Sequence, residues 1–328
     1  MNRFVAAIVA LSLFAQVALA QTTRPSIAQP LLQAGSRNIS THDPSSVMES
    51  DGVYWFFATG PGIRTYRSAD LQTWTFGPPA LNHLPLWARS YTKTQSLWAP
   101  DVVRAKDGRY LLYFSASSWG KNTSAIGLAS NTTLNPGDRT YKWVDHGVVI
   151  ASSAADEFNA IDPAVLIDDQ KMWLTFGSFW SGIKLIELDP KTGRRLADNS
   201  PIHALAHSNQ IEAPFLHRHA GKYYLFVNWG LCCRGVRSTY NIRVGRSDRI
   251  TGPYLDKDGR DMLHGGGTLL LGSDKPFIGP GHAGILRAQN RDWFTCHFYD
   301  ATQAGRATFA IRPLSWTKDG WPVVGADD

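Results

Sequence analysis

The chain repeats one pattern of apolar and polar positions five times between residue 41 and its end. Each unit opens with a short apolar stretch beside a polar residue, which is Asp43, Asp101, Asp162, Glu212 or His282. Two further stretches follow, rich in β-branched and aromatic residues and bounded by Gly, Pro, Asp or Asn, as strands are. Hardly any segment has the 3.6-residue periodicity of an amphipathic helix. The pattern therefore predicts an all-β protein.

The same pattern predicts where the strands lie. We expect first strands at 42–47, 98–103, 161–166, 211–216 and 281–286. We expect second strands at 52–57, 108–114, 171–176, 222–227 and 292–298. Third strands are expected at 63–68, 124–129, 183–188, 242–246 and 308–311. The units begin about 50 to 70 residues apart, which suits a four-stranded blade with its loops. We predict a five-bladed β-propeller; a β-sandwich or β-helix is the alternative, although a sandwich seldom needs five matched units.

The predicted fold brings the acidic residues of the five units together. In a propeller the first strand of each blade lines the central channel, so the residues that open these strands meet at one mouth. A single Asp-Pro is usually a turn whose side chain caps backbone N–H groups. Several acids at matching places instead indicate a functional site, and clustered carboxyl groups are typical of glycoside hydrolysis.

Other kinds of chemistry lack their usual motifs in this chain. There is no His-Glu-x-x-His, no Gly-x-Ser-x-Gly nucleophile elbow and no phosphate-binding loop. His42 and His282 come from different units, so the signal for a metal hydrolase is weak. Gly265-Gly266-Gly267 is interpreted as a flexible loop between the fourth and fifth units.

Composition adds support for a carbohydrate ligand. The chain has 12 Trp, 11 Tyr and 15 Phe, and aromatic rings suit both short strands and stacking on sugars. The formal charge is +6, but the basic residues are scattered, so no nucleic-acid partner is expected. The cysteines leave alternatives open: the adjacent Cys232 and Cys233 cannot easily bridge without strain, one of them could link to Cys296, or all three could be buried thiols.

The N-terminal sequence predicts export. Arg3, an apolar run over residues 4–17 and Ala18-Leu19-Ala20 have the order of a signal peptide, here residues 1–20. We expect the protein in the periplasm or outside the cell, without a membrane span. Residues 21–40 are interpreted as an N-terminal arm, and residues 41–328 as the propeller domain.

A series of short motifs carries a family resemblance. In order, the motifs are His42-Asp43-Pro44-Ser45, Leu97-Trp98-Ala99-Pro100-Asp101-Val102, residues 121–128, Asn159-Ala160-Ile161-Asp162-Pro163, residues 177–183, Ile211-Glu212-Ala213-Pro214-Phe215, Cys232-Cys233-Arg234-Gly235, Gly245-Arg246-Ser247, residues 250–254 and Gly279-Pro280-Gly281-His282. Together they resemble glycoside hydrolase family 43, especially its endo-α-1,5-L-arabinanase branch. The resemblance runs from residue 41 to about residue 322, nearly the whole of the predicted mature chain.

The resemblance implies a five-bladed propeller, an inverting mechanism and roles for three acids. Asp43 resembles the general base, Glu212 the general acid, and Asp162 the residue that orients the acid and raises its pKa. An inverting base and acid need a separation of about 6.5–9.5 Å, which opposed blades can supply. Asp101 also sits in a repeat position, but it follows Trp98 by three residues, and we interpret it as structural.

The resemblance also implies a substrate and a cation. Candidate substrate-binding residues are Trp98, Trp119, Asn159, Ser178, Phe179, Trp180 and Trp229. For each aromatic residue, core packing is an equal alternative. His282 resembles the central histidine that organises a bound cation, for which calcium is the expectation, and no organic cofactor is expected.

The sequence thus predicts an exported, endo-acting α-1,5-L-arabinanase that cleaves arabinan, a side chain of pectin. An exo-acting α-L-arabinofuranosidase or β-xylosidase with the same fold is the nearest alternative. A carbohydrate-binding propeller without catalysis is the alternative from another class.

Overall fold

The computed structural model describes residues 38–325. The predicted signal peptide, and the arm up to residue 37, lie outside the described residues. Within residues 38–325, no helix is long and apolar enough to cross a membrane.

The described chain consists of short strands joined by loops and four single turns of 3₁₀ helix. The first strands are β1 (Met48–Ser50), β2 (Val53–Ala58), β3 (Gly60–Pro61), β4 (Arg64–Ser68) and β5 (Thr75–Phe76). Next come β6 (Ser96–Arg104), β7 (Tyr110–Ala116), β8 (Ser124–Asn131) and β9 (Val144–Ser152). The third group is β10 (Ala164–Asp168), β11 (Lys171–Phe176), β12 (Ile183–Leu188) and β13 (His203–Ala206). The fourth is β14 (Ile211–His219), β15 (Lys222–Trp229), β16 (Asn241–Ser247) and β17 (Thr268–Leu271). The last is β18 (Phe277–Ala288), β19 (Arg291–Asp300), β20 (Arg306–Trp316) and β21 (Pro322–Val324). The 3₁₀ turns are Trp87–Ser90, Gly235–Arg237, Met262–His264 and Ala301–Gln303.

These strands form five antiparallel sheets, and the sheets are the five blades of a β-propeller. Blade I has the order β1-β2-β4-β5, and β3 adds to the inner edge of blade II, whose order is β3-β6-β7-β8-β9. Blades III, IV and V are the meanders β10–β13, β14–β17 and β18–β21. The predicted fold class is confirmed.

The prediction located the second and third strands of each blade well and missed the fourth. The predicted second and third strands of blade III coincide with β11 and β12. The outer strands β5, β9, β13, β17 and β21 were not predicted. They are short or largely solvent-facing, as in the two-residue β5, so little apolar periodicity marks them.

The interior is divided into five apolar clusters, one between each pair of neighbouring blades. The cluster between blades V and I closes the ring, and in it Phe56 of β2 stacks on Phe309 of β20 with ring centroids 4.3 Å apart. The N-terminal segment adds backbone contacts there, since Ser40 forms a β-bridge with Thr308. Burial of these faces fixes the blades around the channel.

One residue at the start of each blade has a left-handed backbone. The five residues are Asp43, Ala99, Asp162, Ala213 and His282, with φ between 43° and 61°. Four of them precede a proline. Left-handed φ is unfavourable for residues other than glycine, so each such position needs local support.

A side chain supports each of these left-handed residues by accepting a hydrogen bond from its N–H. The acceptors are His297 for Asp43, Thr59 for Ala99, Ser115 for Asp162, Asp162 for Ala213 and Asn228 for His282, at 2.8–3.2 Å. The positions of these five left-handed residues correct the predicted alignment of the five repeats. Asp43, Asp162 and His282 are equivalent, whereas Glu212 precedes its left-handed residue by one position and Asp101 follows its own by two.

Candidate active site

The three predicted catalytic acids line one cavity at a mouth of the channel. This cavity has a volume of about 410 Å³, and Asp43, Asp162, Glu212 and His282 all contribute to its wall. A second cavity of about 690 Å³ adjoins it and shares Glu212. The structure therefore brings together acids that are up to 169 residues apart in sequence.

Asp43 is held as a carboxylate by donors on both of its oxygens. Nδ1 of His42 lies 2.7 Å from Oδ1, and Nδ1 of His282 lies 3.2 Å from the same oxygen. The Thr59 hydroxyl donates to Oδ2 at 2.6 Å. Burial alone would raise the pKa of Asp43, but the adjacent His42 and His282 imidazoles outweigh it and hold the pKa well below its usual value. An ionised carboxylate is the form that a general base requires.

Glu212 has the opposite protonation. It lies on β14, where Ser178 donates to Oε2 at 2.7 Å and the Tyr240 hydroxyl donates to Oε1. Burial, and then the negative charge of Asp162, raise the pKa of Glu212 to about 8. Glu212 is therefore mostly protonated at neutral pH, as a general acid must be.

Asp162 is held near Glu212 by a hydrogen bond to the backbone of the following residue. Its Oδ2 accepts the N–H of Ala213, the residue after Glu212, at 3.1 Å. Burial raises the pKa of Asp162 to about 6; His282 opposes the shift and the charge of Asp43 adds to it. The carboxyl groups of Asp162 and Glu212 repel each other when both are ionised. At neutral pH the proton therefore resides mainly on Glu212, which has the higher pKa.

His282 supplies positive charge to the same cavity. Burial lowers its pKa, but the Asp43 carboxylate overcomes this effect and raises the pKa to about 9. The imidazole is therefore largely protonated at neutral pH.

Asp101 has a different position and different contacts. It is buried, and its two oxygens accept the N–H groups of Ser46 at 3.2 Å and Val165 at 2.8 Å. These bonds join blade II to blades I and III. Asp101 does not line either cavity and has the contacts of a structural residue.

Most of the predicted substrate-binding residues line the two cavities. Trp98, Trp119 and Phe179 contribute to both, and Asn159, Ser178 and Trp180 to the larger one. Trp119 is 73% exposed and Trp180 41%, as expected for side chains at a rim. Ser178 uses its hydroxyl to bind Glu212, so it acts on the acid as well as facing the cavity.

Trp229 is placed elsewhere. It lines neither cavity, and its ring packs on the Arg243 guanidinium, 4.1 Å from the ring centroid, and against the core between blades III and IV. The reason is strand alternation, since successive side chains point to opposite faces. The preceding residue, Asn228, points to the channel and bonds His282 and Pro280.

Several site residues were not singled out in the sequence. Tyr240 and Thr59 line the acid-bearing cavity, and Leu231 and Arg234 line both cavities. Tyr240 and Arg234 lie in loops or at their ends, outside the repeat, so no periodic signal marked them.

The adjacent cysteines also line the cavity. Cys232 and Cys233 form a disulfide with each other, which corrects the expectation that strain would prevent it. Cys296 is buried in blade V and does not take part. The disulfide belongs to the loop that carries Leu231 and Arg234 into the site.

A five-bladed propeller whose channel mouth holds one ionised and one protonated carboxyl group has the fold and site of a glycoside hydrolase. Residues 37–322 match glycosyl hydrolases family 43. The chain belongs to this family.

Relatives and solved structures agree with this assignment. The chain is 43% identical over 311 residues to an extracellular exo-α-(1→5)-L-arabinofuranosidase of Cellvibrio japonicus, covering 89% of this chain and 88% of that protein. It is 42% identical over 297 residues to extracellular endo-α-(1→5)-L-arabinanase 1 of Bacillus subtilis, covering 88% of each. The structure of Cellvibrio cellulosa α-L-arabinanase complexed with arabinohexaose has a TM-score of 0.84 and 41% identity, over 88% of this chain and 96% of that one.

Proposed function

We propose that the protein hydrolyses arabinan at internal α-1,5-L-arabinofuranosidic bonds with inversion of configuration. The observation that carries the proposal is the joining of Asp43, Asp162 and Glu212 from three blades in one cavity. Asp43 activates a water molecule for attack on the anomeric carbon. Glu212 protonates the departing sugar oxygen, and Asp162 keeps Glu212 protonated until that step.

The shape of the site supports a polymeric substrate. In an inverting reaction the leaving group departs on the side of the acid, opposite to the water. The larger cavity continues past Glu212 on that side, with Trp119 and Trp180 at its rim. Exposed indole rings can stack on successive sugar rings, so this cavity suits the leaving end of the arabinan chain.

The test is a time course of products from debranched arabinan. We expect short oligosaccharides of mixed length at first, with the inverted anomer detected by NMR before mutarotation. Glu212→Gln and Asp43→Asn should each lower kcat by at least about 10³-fold because each removes an essential proton transfer. Arabinan hydrolysis by Glu212→Gln at the parent rate would refute the assignment.

An exo-acting arabinofuranosidase is the second candidate, favoured by the exo activity for which the Cellvibrio japonicus relative is named. It would release a product of one size from chain ends from the first minute. The viscosity of the arabinan solution would then fall more slowly than reducing ends appear. The names of that relative and of the Bacillus subtilis relative also support export of this protein. Detecting the enzyme in periplasmic and culture fractions tests that part.

The calcium expectation stays a prediction. Calcium prefers six to eight oxygen ligands, whereas the groups around His282 are imidazoles and the carboxyl groups of Asp43 and Asp162. A protonated imidazole cannot bind a metal until it loses its proton. His282 would hold such an ion together with mostly water ligands, and the ion would add positive charge to the cavity. Calcium binding, if it occurs, should therefore be weak.

A further inference from the structure

Asp43 is held at the end of two chains of hydrogen bonds, and each chain begins at a backbone N–H. In the first chain, the N–H of Ala99 donates to Oγ1 of Thr59 at 2.8 Å, and Thr59 lies 2.6 Å from Oδ2 of Asp43. An N–H can only donate, so the Thr59 oxygen is an acceptor there. Its own proton is left for the carboxylate.

The second chain is longer and ends on the other carboxylate oxygen. The N–H of Cys233 donates to the Tyr299 hydroxyl at 2.7 Å. That hydroxyl lies 2.8 Å from Nε2 of His42, and Nδ1 of His42 lies 2.7 Å from Oδ1 of Asp43. A neutral histidine can fix the donor-to-acceptor direction of such a chain, because one of its ring nitrogens donates a hydrogen bond and the other accepts one.

The contacts around Tyr299 give the second chain one direction. Its oxygen accepts the N–H of Cys233 and also interacts with the Ser238 hydroxyl. Burial raises the pKa of Tyr299 above its usual value, so the phenol keeps its proton. That proton is directed to Nε2 of His42. In its neutral form, His42 must then carry its own proton on Nδ1, where it faces Asp43.

A second histidine limits rotation of the His42 ring. His297 is fully buried, and its ring stacks on that of His42 with centroids 4.2 Å apart. Burial, and then the adjacent His42 ring, hold the pKa of His297 well below its usual value. Neutral His297 accepts the N–H of Asp43 on Nδ1 at 3.2 Å. The stacked pair therefore supports both the backbone and the side chain of Asp43.

We propose that Tyr299 and His42 are positioning residues, in which Tyr299 selects the Nδ1–H tautomer of His42 and His42 thereby orients the Asp43 carboxylate toward the attacking water. This inference rests on the proposed role of Asp43 as general base. The first donor of the chain belongs to the peptide unit between Cys232 and Cys233. Their disulfide closes a small ring around that peptide and so restrains the N–H that points to Tyr299.

The direct test is the tautomer of His42, measured by NMR on protein labelled with ¹⁵N at its histidine rings. The His42 signals are assigned by their loss in His42→Asn. We expect a protonated Nδ1 and a hydrogen-bonded, unprotonated Nε2 in the parent protein, and a tautomer mixture in Tyr299→Phe. An Nε2–H tautomer in the parent protein would overturn the proposal. This measurement needs no turnover, so its failure differs from a failure of the proposed enzymatic function.

Kinetics on arabinan give the second test. Tyr299→Phe should lower kcat about tenfold, with KM changed less than about twofold, because the change affects proton transfer rather than sugar binding. His42→Asn places an amide N–H near the position of Nδ1 and should keep more activity than His42→Gln, whose amide lies near Nε2. The matched control is Tyr254→Phe, which loses a buried bond to the Ile250 carbonyl at 2.8 Å, away from the site.

The control separates positioning from stability. Tyr254→Phe should lower the melting temperature and leave kcat unchanged. If Tyr299→Phe changes only the melting temperature, as the control does, the proposal falls. If Tyr299→Phe does not fold, the tautomer in the parent protein and the ratio of activities of His42→Asn and His42→Gln still decide; equal activities would count against the proposal.

Discussion

Replacing Asp162 by Asn tests how the site keeps its general acid protonated. The substitution removes a negative charge beside Glu212 and keeps an oxygen that can accept the N–H of Ala213. At an effective dielectric constant of about 20, a neighbouring like charge typically repels by about 3 kcal/mol, or about two pKa units. The pKa of Glu212 should therefore fall from about 8 to roughly 6, with burial still holding it above its ordinary value.

The sign of the effect on activity follows from the role of Glu212. A general acid works only when it is protonated, so activity is lost as pH rises through its pKa. At pH 7 the protonated fraction should fall from about 90% to about 10%, which lowers kcat/KM about tenfold. At pH 5 both proteins should be mostly protonated at Glu212. Asp43 remains ionised there because its pKa is held well below its usual value.

The assay is the pH profile of kcat/KM on a soluble arabino-oligosaccharide from pH 4 to 9.5. On the basic limb of the profile, where activity falls as pH rises, Asp162→Asn should lose activity at a pH about two units lower than the parent does. Lowering the pH should restore most of the activity of Asp162→Asn. The control is Asp101→Asn, which removes a buried carboxyl group that accepts the N–H groups of Ser46 and Val165 and does not line the cavity. It should reduce stability without moving the basic limb. An unmoved limb in Asp162→Asn would refute the electrostatic reasoning.

Three further predictions follow from contacts around the site and in the core. Gly281→Ala would place a Cβ 2.5 Å from the Tyr240 ring. We expect a loss of about 1–3 kcal/mol in stability, and a lower kcat because the displaced ring no longer bonds Glu212. Unchanged stability and unchanged kcat would contradict this expectation. Burial and the charge of His219 lower the pKa of His217 to about 4, so below pH 6.5 the unfolded chain binds a proton that the folded chain refuses. Denaturation with urea should show stability falling by up to about 3 kcal/mol from pH 6.5 to 4, less so in His217→Gln. Calcium should raise the melting temperature only at millimolar concentration and not in His282→Ala; tighter binding would contradict the poor donor set.

The fold could be predicted because five units each carry two strands of strong apolar pattern. β11 and β12 pack against both neighbouring blades, and eight of their twelve positions are apolar. The outer strands face solvent, and for them the pattern is weak. The sequence could therefore predict the number of blades and most of their inner strands, but not the inner strand of blade I, which lies at Met48–Ser50 rather than 42–47, nor the outer edge of any blade.

The site could be predicted in part for a different reason. Acids at the start of first strands had to meet at the channel, and Asp43, Asp162 and Glu212 do so. Some partners that set their protonation come from other blades, as Ser178 of blade III does for Glu212 and His282 of blade V for Asp43. Periodicity in a single sequence does not show which side chains of different blades come into contact.

The place of Asp162 follows from the left-handed residues at the start of the blades. In four blades a residue on the second strand, or directly after it in blade I, caps the next left-handed residue. These caps are Thr59, Ser115, Asn228 and His297. The equivalent in blade III is Gly177, whose N–H bonds Ile161 as that of Thr59 bonds His42. A Cβ on Gly177 would lie 2.5 Å from the Gly182 carbonyl oxygen, so this position cannot hold a capping side chain.

Asp162 supplies the missing cap, and this draws its carboxyl group to Ala213 beside Glu212. The cap and the charge can be separated by two substitutions. Asp162→Asn removes only the charge, whereas Asp162→Ala also leaves the buried N–H of Ala213 without a partner, which costs about 1–3 kcal/mol. Chemical denaturation at pH 7.5 should therefore show Asp162→Ala to be the less stable variant by that amount, while both variants shift the basic limb equally. Equal stabilities would mean that the carboxylate lies near Glu212 for a reason other than capping.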